Sequence, residues 1–86
     1  MINLISFVKS SKYREKIIIF LEKEMKMPSE IANKVNLSNT HTNKHLNALK
    51  DKGIIVCLNE EAKRGRLYQN TKTGLEILKY LISRKK

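Results

Sequence analysis

The chain has a single cysteine, Cys57, among its 86 residues. That excludes an internal disulfide and any zinc cluster built on cysteine. Cys57 lies inside the apolar run Ile54–Leu58, where a thiol behaves as a small buried hydrophobe rather than a redox sensor. No stretch approaches the roughly 18 apolar residues needed to span a bilayer. The opening, MINLISFVKSS, lacks the basic start and long apolar core of a secretory signal, so a cytoplasmic location is expected. There is no glycine-rich phosphate loop, and no nucleophile, base and orienting group fall into a recognisable arrangement, so catalysis is not expected. The adjacent Glu60 and Glu61 read as a solvated loop pair. His41 and His45 are spaced i, i+4, which could present two imidazoles to a metal. No cysteine stands near them and carboxylate ligands would have to come from elsewhere, so no metal or cofactor is expected.

Acidic residues are the other scarcity. Eight Asp and Glu face 18 Lys and Arg, giving a formal charge of +10 and a pI near 10. Such an excess points to a polyanionic partner, nucleic acid or an anionic membrane surface. Residues 1–43 hold 7 basic and 4 acidic side chains, and residues 44–86 hold 11 and 4, so the excess is concentrated in the second half. The apolar opening has too few basic residues on a polar face to suit a membrane surface well, which makes the membrane the weaker option. A chain of this length forms one domain, 1–86, without repeats, low-complexity segments or linkers. It buries only about 60–65% of its unfolded surface, which makes dimerisation a natural source of added stability.

Helical periodicity organises most of the chain. Ile2, Leu4, Ile5, Phe7 and Val8 suggest a short helix packed on the next one or on a second subunit. Ser10 or Ser11 can cap a helix from about Lys12 to Lys26, with Tyr13, Ile17, Phe20, Leu21 and Met25 on one face and Ile18 and Ile19 widening it. Met27–Gly53 reads as two helices joined by a tight turn, about 28–52. Pro28 suits a first helical position, Glu30 the first turn, and Ile31, Ala32 and Val35 the apolar face. Asn36 and Leu37 make the turn, Ser38 caps the second helix, and Thr42, His45, Leu46 and Leu49 form its inward stripe. Gly53 ends it. A hairpin follows at about 54–70: strand Ile54–Leu58, a polar loop Asn59–Gly65 and strand Arg66–Gln69. Thr71 caps a last helix from Lys72 to about Arg84, with Leu75, Leu78, Leu81 and Ile82 inward. Arg84, Lys85 and Lys86 form a frayed tail. The fold class is mainly α with a small β-hairpin.

The outward face of the second central helix shows Asn39, Thr40, Asn43, Lys44, Asn47 and Lys50. An ordinary solvated face mixes Glu with Lys to gain i, i+4 pairs, and this one has almost no acid. Asn can pair bidentately with adenine, Thr can touch a thymine methyl, and Lys can reach guanine or a phosphate.

The order of elements resembles a winged helix-turn-helix domain. It is most similar to the small prokaryotic, especially archaeal, transcriptional regulators related to the MarR and ArsR groups. The segments PSEIANKVNLS, HLNALKDKGII and KRGRLYQNTKTGLEIL carry the likeness, including the run from Arg64-Gly65-Arg66 and Tyr68 into Thr71 and Gly74. It covers residues 10–83. The resemblance implies that helix 38–52 enters the major groove of double-stranded DNA, with Asn39, Thr40, His41, Asn43 and Lys44 nearest bases or adjacent phosphates. Ser38, Asn47 and Lys50 complete that surface. Lys63, Arg64 and Arg66 on a basic wing would lie along the backbone or in the minor groove. It also implies a homodimer joined through terminal helices, acting as a repressor, and any small-molecule effector would bind at the dimer seam. A protein–protein adaptor in a transcription or RNA-processing assembly, or a non-specific architectural DNA binder, are the alternatives. The acid-poor helix face argues against the adaptor, because a protein-binding face favours exposed aromatics.

Overall fold

The side chains that meet in the centre come from every element of the chain. The computed structural model describes residues 2–84, and Met1 and the Lys85-Lys86 end of the expected tail lie outside the described residues. In order come α1 (Ile2–Lys9), α2 (Lys12–Leu21), α3 (Pro28–Val35), α4 (Asn39–Asp51), β1 (Ile55–Cys57), β2 (Tyr68–Asn70) and α5 (Lys72–Arg84). Val8, Ile17, Ile31, Leu46, Ile54 and Ile77 are fully buried in one cluster. Burial of each such side chain contributes about 1.5–3 kcal/mol. No helix among the described residues is long and apolar enough to cross a membrane.

The α3–turn–α4 unit forms for the local reasons read from its sequence. Pro28 begins α3, and the Glu30 carboxylate accepts the Met27 N–H at 2.9 Å. Asn36 takes the left-handed conformation (φ 61°) that turns the chain. The Ser38 hydroxyl then accepts the His41 N–H at 3.2 Å, closing the first turn of α4. Thr42, Leu46 and Leu49 are buried, while His45 is half-buried against Tyr13 with ring centroids 5.9 Å apart. Gly53 (φ 75°) ends the unit, its N–H donating to the Lys50 carbonyl.

The strands are shorter than the sequence suggests, Ile55–Cys57 within Ile54–Leu58 and Tyr68–Asn70 in place of Arg66–Gln69, and three further details differ from the sequence expectation, each for a tertiary reason. Helix α2 stops at Leu21 rather than near Lys26, and Met25 is 52% exposed. The Asn70 side-chain amide donates to the carbonyls of Ile18 and Glu22 at 3.1 and 3.0 Å, which terminates the helix. Lys26 then exchanges both backbone hydrogen bonds with Tyr68, adding a third short edge to the β1–β2 ladder. Neither serine caps α2 through its side chain: Ser11 holds the position without a bond, and the Ser10 hydroxyl donates to Phe7. On α5 the buried residues are Ile77, Leu78 and Leu81, and Ile82 is 46% exposed. Gly74 is the cause, because its backbone lies against the Ile54 carbonyl and sets which face of α5 turns inward.

β1 and β2 pair antiparallel, Ile55 with Asn70 and Cys57 with Tyr68. Cys57 is buried, as its apolar run implied. The Thr71 hydroxyl lies 2.7 and 2.9 Å from the Gly53 and Ile54 carbonyls and accepts the Gly74 N–H at 3.2 Å. One side chain thereby caps α5 and ties it to the end of α4.

Candidate nucleic-acid interface

The i, i+4 geometry of a helix places Asn39, Asn43 and Asn47 in one row along α4. That row forms one wall of a cleft of about 520 Å³. The hairpin loop lines it too, with Lys63, Arg64 and Arg66, together with Tyr68 and the first turn of α3 at Pro28 and Ser29. Among the described residues, no acidic side chain lines it. The row therefore offers amides that donate and accept, and the loop offers positive charge. At 1.5 Å per residue, α4 is about 20 Å long, and a major groove about 12 Å wide admits such a helix.

The eleven sequence-predicted site residues divide by position. Asn39, Asn43, Asn47, Lys63, Arg64 and Arg66 meet in the cleft. Thr40, His41 and Lys44 are exposed on α4 beside it. Ser38 is at the helix start, its hydroxyl engaged with the His41 N–H and 3.1 Å from His41 Nδ1. Lys50 stands apart: its ammonium donates to the Glu60 carboxylate at 3.0 Å, and that bond holds its pKa above the ordinary lysine value. His41 and His45 have no cluster of metal-ligating side chains around them among the described residues. Burial first, then the charges of Arg14, His41 and Lys44, lowers the His45 pKa below the ordinary imidazole value.

Sequence reasoning missed Met27, Pro28, Ser29, Gly65 and Tyr68 as cleft residues. The signal for Ser29 was present, since the start of a helix directs free N–H groups outward and suits an anion. Nothing local announces that Tyr68 reaches the same cleft, because the pairing of β2 with Lys26 brings it there.

A family model described as winged helix-turn-helix matches residues 14–86. No curated protein sequence matches the chain. Among solved structures, Lactococcus lactis ZitR (C30AH42A mutant) is similar with a TM-score of 0.76 at 20% identity, covering 87% of this chain and 52% of that one. The chain thus spans about half the length of ZitR. TubR bound to 24 bp of tubC, from Bacillus thuringiensis serovar israelensis pBtoxis, gives a TM-score of 0.81 at 14% identity, covering 95% and 91%. AdcR, the adhesin competence repressor of Streptococcus pyogenes, gives 0.75 at 15%, covering 98% and 66%. At these identities the likeness is one of fold.

Proposed function

The chain belongs to the winged helix-turn-helix family, and on that premise we propose that it is a sequence-specific double-stranded-DNA-binding transcriptional regulator, a homodimeric repressor without catalytic activity. One observation carries the reading: the asparagine row of α4 and the basic wing line one cleft, with no acid among its described lining residues. In this reading α4 enters the major groove, and Asn39, Thr40, His41, Asn43 and Asn47 read base edges. Lys44, Lys63 and Arg64 neutralise phosphates and release counterions. Ser38 sets the start of the helix and so the height at which these side chains meet the bases.

TubR was solved on DNA and AdcR is named as a repressor, and both support the assignment by analogy of fold. The exposed Ile82 on α5 and half-buried Leu4 and Ile5 on α1 leave apolar surface for a second copy. A two-fold dimer would set its α4 helices in successive major grooves, about 34 Å apart. A titration of fluorescent duplexes over a range of salt tests the roles. Arg64→Ala is expected to weaken binding to every sequence and to lower the salt slope by about 0.9. Asn43→Ala is expected to erode discrimination between sites, and equal losses on preferred and random duplexes would remove it from base readout.

A further inference from the structure

A basic hairpin is easily pictured as a loose arm that follows the phosphate chain. The wing of this protein is cross-braced instead. Arg66 Nε donates to the Ala62 carbonyl at 2.8 Å, and Arg66 Nη2 donates to the Glu60 carbonyl at 3.1 Å. Two of the five fixed N–H directions of the guanidinium are therefore turned into the loop. Asn59 braces from the start of the loop: its amide donates to the Gly65 carbonyl at 3.1 Å, and its side-chain oxygen accepts the Leu67 N–H at 2.8 Å. The Glu60 carboxylate then takes the Lys50 ammonium, which joins the wing to α4.

We infer that Arg66 and Lys50 are positioning residues, which with Asn59 and Glu60 fix the shape of the wing and its setting against α4 and leave Lys63 and Arg64 as the phosphate contacts of the loop. Charge favours this division. An acid at the root of a DNA-binding wing repels phosphate unless a cation neutralises it, and Lys50 does so. Entropy favours it too. A free loop must lose backbone freedom residue by residue when it docks, and a loop already shaped avoids that cost at binding. The consequence for binding rests on the DNA reading above, whereas the brace is a property of the free protein.

Two measurements on the full chain separate the two. Amide hydrogen exchange of the free protein reads the brace, and duplex titration over salt reads its consequence. Arg66→Lys keeps the charge but cannot bridge two carbonyls as the planar fork does. It is expected to speed exchange at Ala62 and Leu67 by about fivefold to tenfold, with core amides of α2 and α4 still protected. Duplex binding should weaken several-fold while the salt slope stays at the wild-type value, because the number of neutralised phosphates is unchanged. Glu60→Gln is expected to weaken binding although it removes an acid from the root of the wing. Tighter binding by Glu60→Gln would overturn the inference. So would wild-type affinity for Arg66→Lys combined with an Arg66→Ala slope lower by about 0.9, since Arg66 would then be a phosphate contact. Unchanged wing exchange in both variants overturns the brace whatever the DNA result. Faster exchange without duplex binding by the wild type would leave the brace standing and overturn the DNA reading.

Discussion

Replacement of Gly74 by alanine should destabilise the protein, against the usual effect of that substitution in a helix. Alanine is favoured over glycine by about 1 kcal/mol at a helix interior, and by at most that at Gly74 in the first turn of α5. Here the added Cβ would collide with the Ile54 carbonyl and lie 2.8 Å from the Asn70 side-chain oxygen and 3.1 Å from its Cβ. Neither neighbour can give way. The Ile54 carbonyl accepts the Thr71 N–H at 3.0 Å, and the Asn70 amide is held by the carbonyls of Ile18 and Glu22. Overpacking of this kind costs about 1–3 kcal/mol, and a displaced hydrogen bond adds about 1 kcal/mol. Subtracting the propensity gain leaves a net loss of about 2 kcal/mol. For a domain of this size that lowers Tm by about 8–16 °C. Thermal unfolding followed by circular dichroism, at one fixed protein concentration because a dimer would couple Tm to concentration, reads it directly. Gly53→Ala is the control, since its Cβ meets nothing within 4 Å and its loss arises only from the positive φ of 75°, about 1 kcal/mol. A Gly74→Ala protein with unchanged or raised Tm would refute the close packing of α5 on the start of β1.

Thr42 is fully buried and its hydroxyl has no hydrogen-bond partner among the described residues, so Thr42→Val should raise the urea midpoint by an amount equal to about 1 kcal/mol; a lower midpoint would show that the hydroxyl is satisfied. Asn70→Leu takes the side-chain donor from the Glu22 carbonyl and leaves the Ile18 carbonyl with the Glu22 N–H alone, which should cost about 1–3 kcal/mol, with faster amide exchange at the end of α2 as its local sign. His45 should make stability pH-dependent. Its native pKa is lowered, so the unfolded chain takes up a proton first and stability falls as pH drops through the ordinary imidazole value of about 6.5, levelling off below the native value. His45→Gln should flatten urea midpoints across that window, and an unchanged profile would assign the dependence elsewhere.

Much of this architecture is legible in the residues because its signals are local. Pro28, Ser38, Gly53 and Thr71 each act within one turn of where they stand, and the α3–α4 unit followed from them. The features that escaped are made by contacts distant in sequence. Glu22–Lys26 reads as helix by propensity, and what ends α2 is Asn70, 48 residues away at Glu22. Gly74 carries no apolar side chain, so the stripe 74, 77, 78, 81 was hidden and Ile82 was drawn inward in place of Ile77. Gly74 was visible only as part of a family-like motif, and its close approach to Ile54 supplies the physical reason. At the candidate site, the asparagine row follows from helix spacing alone. The division of the cations does not: Lys50, Lys63, Arg64 and Arg66 look alike as charges, and only the folded loop shows which of them are bonded within the protein.

The central claim, sequence-specific recognition of duplex DNA, is tested most directly by selection from a randomised duplex pool at about 150 mM salt, where phosphate contacts alone hold weakly. Enrichment of one inverted repeat is expected, with half-sites about one helical turn apart, and loss of that enrichment in Asn43→Ala. Binding without enrichment would contradict sequence-specific readout and point to an architectural role. No binding at all would contradict the DNA reading itself and turn the basic cleft over to a protein partner.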